Sequence, residues 1–356
     1  MDSGVKKPGV TSSQVAEHAG VSQSAVSRTF TPGASISPKT RQKVLAAAKE
    51  LGYRPNAIAR SLITNRSRII AVVMAYLENL FYPEVLEELG RALASENYHL
   101  LLFTGFVDRH SDPVFDQLMQ YRVDGIILAS TSLSSELSEE CATAGIPVVL
   151  FNRTTERDAV SSVTTRNREG GRRIAEFLVA GGHKSFGYIA GLEFSSTNRD
   201  RQQGFTEGLA AHGFTNIIVE PGNYSQSDAQ QAARAMLGRP DRPEALFVAN
   251  DHMAVAVMDV ARHEFGLSIP DDLSIIGYDD VGPARWPSYS ITSMSQPLKR
   301  MVESTVDILM DQIASGEIEP EHRVLTGDLV VRGSARLPPS GLVEIDGRQL
   351  YRPRGA

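Results

Sequence analysis

The chain has 356 residues, 42% of them hydrophobic and 22% charged, with a formal net charge of −6 and one cysteine, Cys141. That length requires two or three compact units rather than one small core, and the balance is that of a globular protein. No apolar run reaches the roughly 18 residues that span a bilayer, the opening MDSGVKKPGVTSS lacks the apolar stretch of a secretory signal, and a lone cysteine excludes an internal disulfide framework; a soluble cytoplasmic protein is expected, with no membrane partner.

The charge is unevenly spread. Residues 1–68 carry eleven Lys and Arg against Asp2, Glu17 and Glu50, about +8, while the remainder carries 25 basic and 39 acidic residues, about −14. A basic head on an acidic body suggests that only the head meets a polyanion.

The head reads as three short helices. Thr11 or Ser12 caps the first, Val15, Ala16 and Ala19 form its apolar face, and Gly20 ends it. Ser22 caps the second, within VSQSAVSRTF; Val26 and Phe30 face inward and Gln23, Ser24, Ser27 and Arg28 outward. The third opens at Ser37-Pro38, turns Val44, Leu45, Ala48 and Leu51 inward and stops at Gly52. Two helices joined by a short turn with glycine make a helix-turn-helix unit, whose second helix lays its polar face in the DNA major groove. Residues 1–54 are assigned to this DNA-binding domain. Residues 55–67 form a linker in which the short AIARSL helix needs a partner for stability.

From Arg68 strand and helix alternate. Apolar runs at 69–75, 99–105, 125–130 and 147–152, then at 186–191, 217–222, 245–250 and 273–280, imply parallel sheets covered on both faces. The expected fold is an all-α helix-turn-helix head followed by an α/β core of two doubly wound parallel-sheet lobes. Lobe 1 takes about 68–163 and 295–325, lobe 2 about 164–294 and 326–340, and 341–356 forms a tail. Such lobes enclose a hinged cleft, with ligand at the C-terminal ends of the strands.

With these pieces assembled, the chain resembles the LacI/GalR family of bacterial transcriptional regulators. The resemblance runs from about Val10 to Arg336 and rests on VAEHAGVSQSAVSRTF, SPKTRQKVLAAAKELGYRPNAIARSL, RVDGIIL, VANDHMA and LSIIGYDD, in that order. It implies a periplasmic-binding-protein-like core and base-reading positions at Gln23, Ser24 and Arg28. Ser22 and Ser27 are expected on phosphates, with Arg28 the candidate for a bidentate guanine contact. Thr31 stands where many relatives have Asn, which puts one contact in doubt. Asn56, Ala57 and Ala59 fall in the family's hinge helix, and Leu62 matches the residue that wedges into the minor groove and kinks the operator. A palindromic operator in double-stranded DNA and a homodimer follow.

For the small-molecule effector the resemblance implies a cleft lined by Phe81, Tyr82, Asn152, Arg153, Ser195, Thr197, Arg201, Tyr224, Asn250 and Asp279. Rings supply apolar faces and the polar groups hydrogen-bond hydroxyl or carboxylate groups, which suits a sugar or sugar derivative. Asp279 is the expected acceptor for sugar hydroxyls, with turn stabilisation as its alternative; Asp280 is expected to cap a turn. The bland alternatives are a surface ion pair for Arg28 and a cleft-rim salt bridge for Arg153. Trp286 is expected to pack, with the cleft rim as its alternative. No metal spacing and no cofactor motif occurs: GxGxxG, GxxxxGK[ST] and GxSxG are all missing. An enzyme or a solute-binding protein on the same core is the less favoured reading. A repressor released by an inducer is preferred, a regulator that needs a purine-like co-repressor the alternative. The tail LPPSGLVEIDGRQLYRPRGA has no leucine heptad, so a dimer rather than a tetramer is expected.

Overall fold

The computed structural model describes residues 10–31, 33–54, 66–74, 77–104, 113–129, 140–141, 143–155 and 159–352. The chain divides into two compact units, Met1–Ser67 and Arg68–Ala356.

In the first unit, α1 spans Ser12–Ala19, α2 Gln23–Thr29 and α3 Pro38–Leu51. Each start is a side-chain cap. Thr11 and Gln14 form a reciprocal capping box, Ser22 accepts from the Ala25 amide, and Ser37 accepts from Thr40 ahead of a proline suited to the first turn. Gly20 and Gly52 end α1 and α3 in the left-handed conformation. Val15, Ala16, Val26, Val44, Ala47 and Ala48 form the core, sealed by Phe30 and Tyr53, whose rings lie 5.8 Å apart. The expectation for Leu45 is corrected: it is 47% exposed. Val44, Ala47, Ala48 and Leu51 already fill one helical stripe, and Leu45 sits about 100° from Val44, off that stripe.

The second unit holds two sheets. In lobe 1, β1 (Ile69–Met74), β2 (His99–Thr104), β3 (Gly125–Ala129), β4 (Val148–Phe151), β5 (Ser161–Thr165) and β11 (His322–Leu325) are all parallel, in the order β11-β5-β4-β3-β1-β2. Its helices are α4 (Phe81–Ser95), α5 (Pro113–Tyr121) and α10 (Leu298–Ser315). In lobe 2, β6 (Phe186–Ala190), β7 (Ile217–Pro221), β8 (Ala245–Val248), β9 (Ser274–Asp279) and β10 (Thr292–Ser295) run parallel, flanked by α6 (Asn167–Ala180), α7 (Ser196–Ala210), α8 (Gln226–Leu237) and α9 (Asp251–His263). The central strands of each sheet are buried apolar runs, as covering by helices on both faces demands. β5 reads Ser-Ser-Val-Thr-Thr, is wholly buried, and has no apolar run to announce it. It carries lobe 1 past the expected boundary at 163.

Three crossovers join the lobes: β5 to α6, β10 to α10, and β11 to β12 (Leu329–Val330). The last two are pinned together. Ser295 donates its amide to Asp328 O at 2.8 Å, and a Cβ on Gly327 would lie 1.8 Å from Ser295 O. In lobe 2, α6 and α7 meet backbone to backbone, since a Cβ on Gly204 would lie 1.8 Å from Arg168 O. Only glycine permits that approach, and it sets the position of α7.

The tail expected at 341–356 is also corrected. Leu342–Ile345 (β13) and Arg348–Tyr351 (β14) form an antiparallel hairpin, and β14 pairs with β12 to extend the lobe 2 sheet to eight strands. Asp346 and Gly347 both have positive φ, the geometry that an Asp-Gly hairpin turn supplies. Leu350 and Tyr351 are buried, and Tyr351 meets Phe177 edge to face at 5.1 Å. Among the described residues no helix is long and apolar enough to cross a membrane. Tyr351→Ala is expected to destabilise the second unit by roughly 3–5 kcal/mol, the usual range for truncating a buried aromatic ring. Urea unfolding checks this; a loss below about 1 kcal/mol would mean that the hairpin is not part of the core.

Candidate DNA-reading helix and effector cleft

The α2 helix separates its faces cleanly. Ala25, Val26 and Thr29 are buried, while Ser22, Gln23, Ser24, Ser27, Arg28 and Thr31 are exposed on one side. Several of the exposed groups already have local partners. Gln23 Nε2 donates to Ser12 Oγ at 2.9 Å, which ties α2 to α1, and Ser22 Oγ lies 2.9 Å from Ser24 Oγ while it caps the helix. Thr31 Oγ1 donates to Ser27 O at 2.9 Å. Arg28 lies back along its own helix, with Nε 3.4 Å from Ser24 O, and no acidic side chain pairs with it among the described residues. Its guanidinium therefore keeps donors for an outside acceptor, where a surface ion pair would have used them. His18 pairs with Glu50 at 2.8 Å and links α1 to α3. The hinge positions Asn56, Ala57, Ala59 and Leu62 lie outside the described residues.

In the second unit a cleft is lined by Asn79, Phe81, Tyr82, Asn152, Arg153, Thr197, Arg201, Tyr224, Asn250 and Asp279. Its walls come from both lobes, and its residues follow the C-terminal ends of β1, β4, β6, β7, β8 and β9. Each lobe has the doubly wound order in which the direction of connection reverses beside its first strand, and ligands bind at that crevice.

Arg201 organises the lobe 2 wall. It is 2% exposed, donates from Nε to Asn167 Oδ1 at 2.9 Å and from Nη1 to Ala249 O at 2.6 Å, and lies 3.6 Å over the Tyr278 ring. Its Nη2 reaches Asp279 Oδ1 at 3.5 Å. Gln296 Nε2 donates to that same oxygen at 2.7 Å, which leaves Asp279 Oδ2 without a partner among the described residues. Burial pushes the Asp279 carboxyl up to about 6, against the opposing pull of Arg201 and the Gln296 amide. A folded pKa above the unfolded value means that ionised Asp279 subtracts stability at neutral pH, and that stability returns as pH falls from about 6 toward 4. Burial likewise raises the Tyr82 hydroxyl to about 12, so it enters the cleft as a neutral donor.

Two further lining groups are buried without a hydrogen-bond partner among the described residues: Asn152 Oδ1, an acceptor, and Asn250 Nδ2, a donor. The other end of Asn250 caps α9 through Met253 N at 3.0 Å, which orients the amide. Arg153 is 8% exposed and pairs with no acid among the described residues. Thr197 Oγ1 bridges Tyr224 OH at 3.0 Å and Ser195 Oγ at 2.7 Å. Ser195 thus stands behind Thr197, outside the lining, while the other nine effector positions named from the sequence meet in the cleft. Asn79 lines it as well, a position that the residue patterns missed; its Oδ1 accepts the Phe81 amide at 3.1 Å at the start of α4, and an asparagine two residues ahead of a helix was the available signal. The turn-capping expectation for Asp280 is corrected: its carboxylate accepts no backbone amide among the described residues and instead pairs with Arg332 at 2.5 Å and Arg285 at 3.4 Å. Trp286 is 56% exposed beside Tyr289 and lines no part of the cleft. No cluster of three metal-ligating side chains occurs among the described residues.

Residues 13–56 match the model of the lacI family of bacterial regulatory proteins, and residues 175–335 match a periplasmic binding protein-like domain. Over 333 residues the chain is 32% identical to the HTH-type transcriptional regulator CelR of Thermobifida fusca, covering 91% of this chain and 98% of that protein. The chain belongs to the LacI family. This LacI-family protein is also 30% identical to the transcriptional repressor PurR of Photobacterium profundum, over 92% of this chain and 98% of that one. Among solved structures it is similar to the lac repressor dimer bound to operator and the anti-inducer ONPF, at 27% identity, with a TM-score of 0.82 over 92% and 99% of the two chains. The CelR–cellobiose complex matches at 30% identity with a TM-score of 0.69, over 92% and 100%. The protein is a ligand-responsive, DNA-binding transcriptional regulator and not an enzyme. Arg28→Ala is expected to weaken operator binding by roughly 1–3 kcal/mol at fixed salt while effector binding is kept. Equal loss of both would place the effect in folding instead of base reading.

Proposed function

We propose that the regulator is a cytoplasmic homodimer that represses genes for the uptake or breakdown of its effector, and that the effector is a sugar or sugar derivative acting as inducer. The observation that carries the effector class is the convergence of unpartnered groups of both kinds in one cleft. Asn152 Oδ1 and Asp279 Oδ2 accept, Asn250 Nδ2 and Arg153 donate, and Phe81, Tyr82 and Tyr224 offer ring faces. Leaving a buried polar atom unpaired costs about 1–3 kcal/mol, so a ligand whose hydroxyls both donate and accept offsets that cost at Asn152 Oδ1 and Asn250 Nδ2 together. The CelR relative, solved with cellobiose, supports the same class.

In this reading the Gln23, Ser24 and Arg28 face reads base edges, Ser22 and Ser27 hold phosphates, and Thr31 lies beside them on the DNA-facing side. The 55–67 segment couples the reading unit to the effector unit, with Leu62 as the minor-groove wedge. Effector closes the cleft and lowers operator affinity, which requires that it bind the DNA-free state more tightly than the DNA-bound state. A purine-like co-repressor, the alternative reading, would carry the opposite sign.

A thermal-shift panel of neutral sugars, sugar acids, sugar phosphates and purines tests the effector class. A ligand at a hundredfold excess over its Kd stabilises by about 2.7 kcal/mol. A response confined to purines would overturn the sugar reading. Asp279→Asn is expected to leave operator binding intact and abolish release by the effector. Because hydroxyl donors favour the ionised Asp279, effector affinity should be flat above pH 7 and fall by up to tenfold per unit as pH drops below about 6. A pH-independent affinity across that window would remove Asp279 from the contact set.

A further inference from the structure

The turn that presents Asp279 has an unusual backbone. Asp279 and Asp280 follow one another at the end of β9 with φ of 108° and 58°, the left-handed region that side chains with a Cβ rarely enter. This pair of conformations sends the two carboxylates apart, Asp279 to the cleft and Asp280 to Arg332 and Arg285. Something must hold the backbone there, and the residues that do so lie outside the cleft.

Asp251, the first residue of α9, is completely buried and has no basic partner among the described residues. Ser293 on β10 donates its hydroxyl to Asp251 Oδ1 at 2.8 Å and Oδ2 at 3.0 Å, and the same hydroxyl oxygen accepts the Asp280 amide at 3.1 Å. Asp251 Oδ2 also accepts the Val281 amide at 3.1 Å. Both amides that follow the Asp279 peptide are therefore tied to one carboxylate, directly or through Ser293. Gly277 lets the carboxylate in: it pairs with Ser293 across the sheet, and a Cβ there would lie 1.9 Å from Asp251 Oδ1. Asp251 also adjoins Asn250, whose unpartnered amide nitrogen lines the cleft. One buried acid thus joins the start of α9, which carries Asn250, to the turn that carries Asp279.

We propose that Asp251 and Ser293 are positioning residues for effector recognition: they lock the left-handed Asp279–Asp280 turn and thereby fix the Asp279 carboxylate in the cleft. This rests on the reading of Asp279 as an effector contact. Burial holds the Asp251 carboxyl well above the ordinary carboxylate range; the neighbouring Asp279 and Asp280 carboxylates add to the rise, and the Ser293 hydroxyl and Val281 amide oppose it.

The test uses the full-length protein with ¹³C-labelled aspartate carboxyls, the Asp279 signal being assigned with Asp279→Asn. In the wild type that signal should titrate near pH 6. In Ser293→Ala, folded by circular dichroism, the turn relaxes, the carboxylate becomes hydrated, and the midpoint falls by at least one unit. Ser293→Thr, which keeps the hydroxyl, should restore it, a recovery that loss of packing alone would not produce. Should Ser293→Ala not fold, Asp251→Asn, which removes one of the acceptor oxygens, reads the same midpoint. An unchanged midpoint in a folded Ser293→Ala or Asp251→Asn variant overturns the proposal. The panel of sugars, sugar acids, sugar phosphates and purines is then applied to the variant. At least a tenfold loss of affinity for the compound that binds the wild type supports both readings. A shifted midpoint with unchanged ligand affinity keeps the lock and overturns the contact role of Asp279.

Discussion

A buried guanidinium is the constraint around which the effector unit is arranged. Arg201 lies almost wholly inside the protein, and a charge there is tolerable only if its donors are met. Asn167 from the first crossover, Ala249 O from the end of β8 and Asp279 from the end of β9 meet them, and the Tyr278 ring covers its face. Those partners belong to separate segments of lobe 2, so satisfying one side chain fixes the relative positions of the strand ends that build the cleft wall. The backbone-to-backbone approach of α6 and α7 at Gly204 sets the helix from which Arg201 projects.

The chemistry of the cleft follows from what that arrangement leaves unsatisfied. Arg201 and Gln296 occupy one oxygen of Asp279 and leave the other, and Asn250 uses its oxygen as a helix cap and leaves its amide nitrogen. The cleft is therefore polar where it is incomplete and rigid where it is complete. A ligand entering it meets preset donors and acceptors, and little ordering entropy remains to be lost by the protein side chains. The α2 helix follows the same logic on a smaller scale. Small hydroxyl residues are engaged in capping and local bonds, and Arg28 retains donors for a partner.

The places where residue patterns mislead have physical causes. Leu45 is apolar and so reads as inward, but helical phase, not hydropathy, decides which side faces the core, and Val44 already holds that side. Pro and Gly make the C-terminal stretch read as a tail, although Leu-Val-Glu-Ile-Asp-Gly-Arg-Gln-Leu-Tyr carries an Asp-Gly turn between alternating residues. β5 has no local signal, because Ser and Thr can fill a buried strand once their hydroxyls are bonded, as Ser161 is to Gln312 and Glu321. The Asp251–Ser293 link is invisible for a different reason: 42 residues separate the pair, and nothing local marks them as partners.

By itself, the sequence determined the elements and their kind. Caps, glycine stops and the 3.6-residue apolar stripe are local, so the three helices of the head and the exposed face of α2 follow from neighbours in the chain. Continuous apolar runs likewise determined the parallel sheets, and the ordered motifs determined the family. Only the tertiary structure decided which oxygen of Asp279 remains open, which end of Asn250 points into the cleft, and what holds the turn between them. Those outcomes depend on hydrogen bonds closed between residues far apart in sequence, and the directions of such bonds exist only once the lobes are packed.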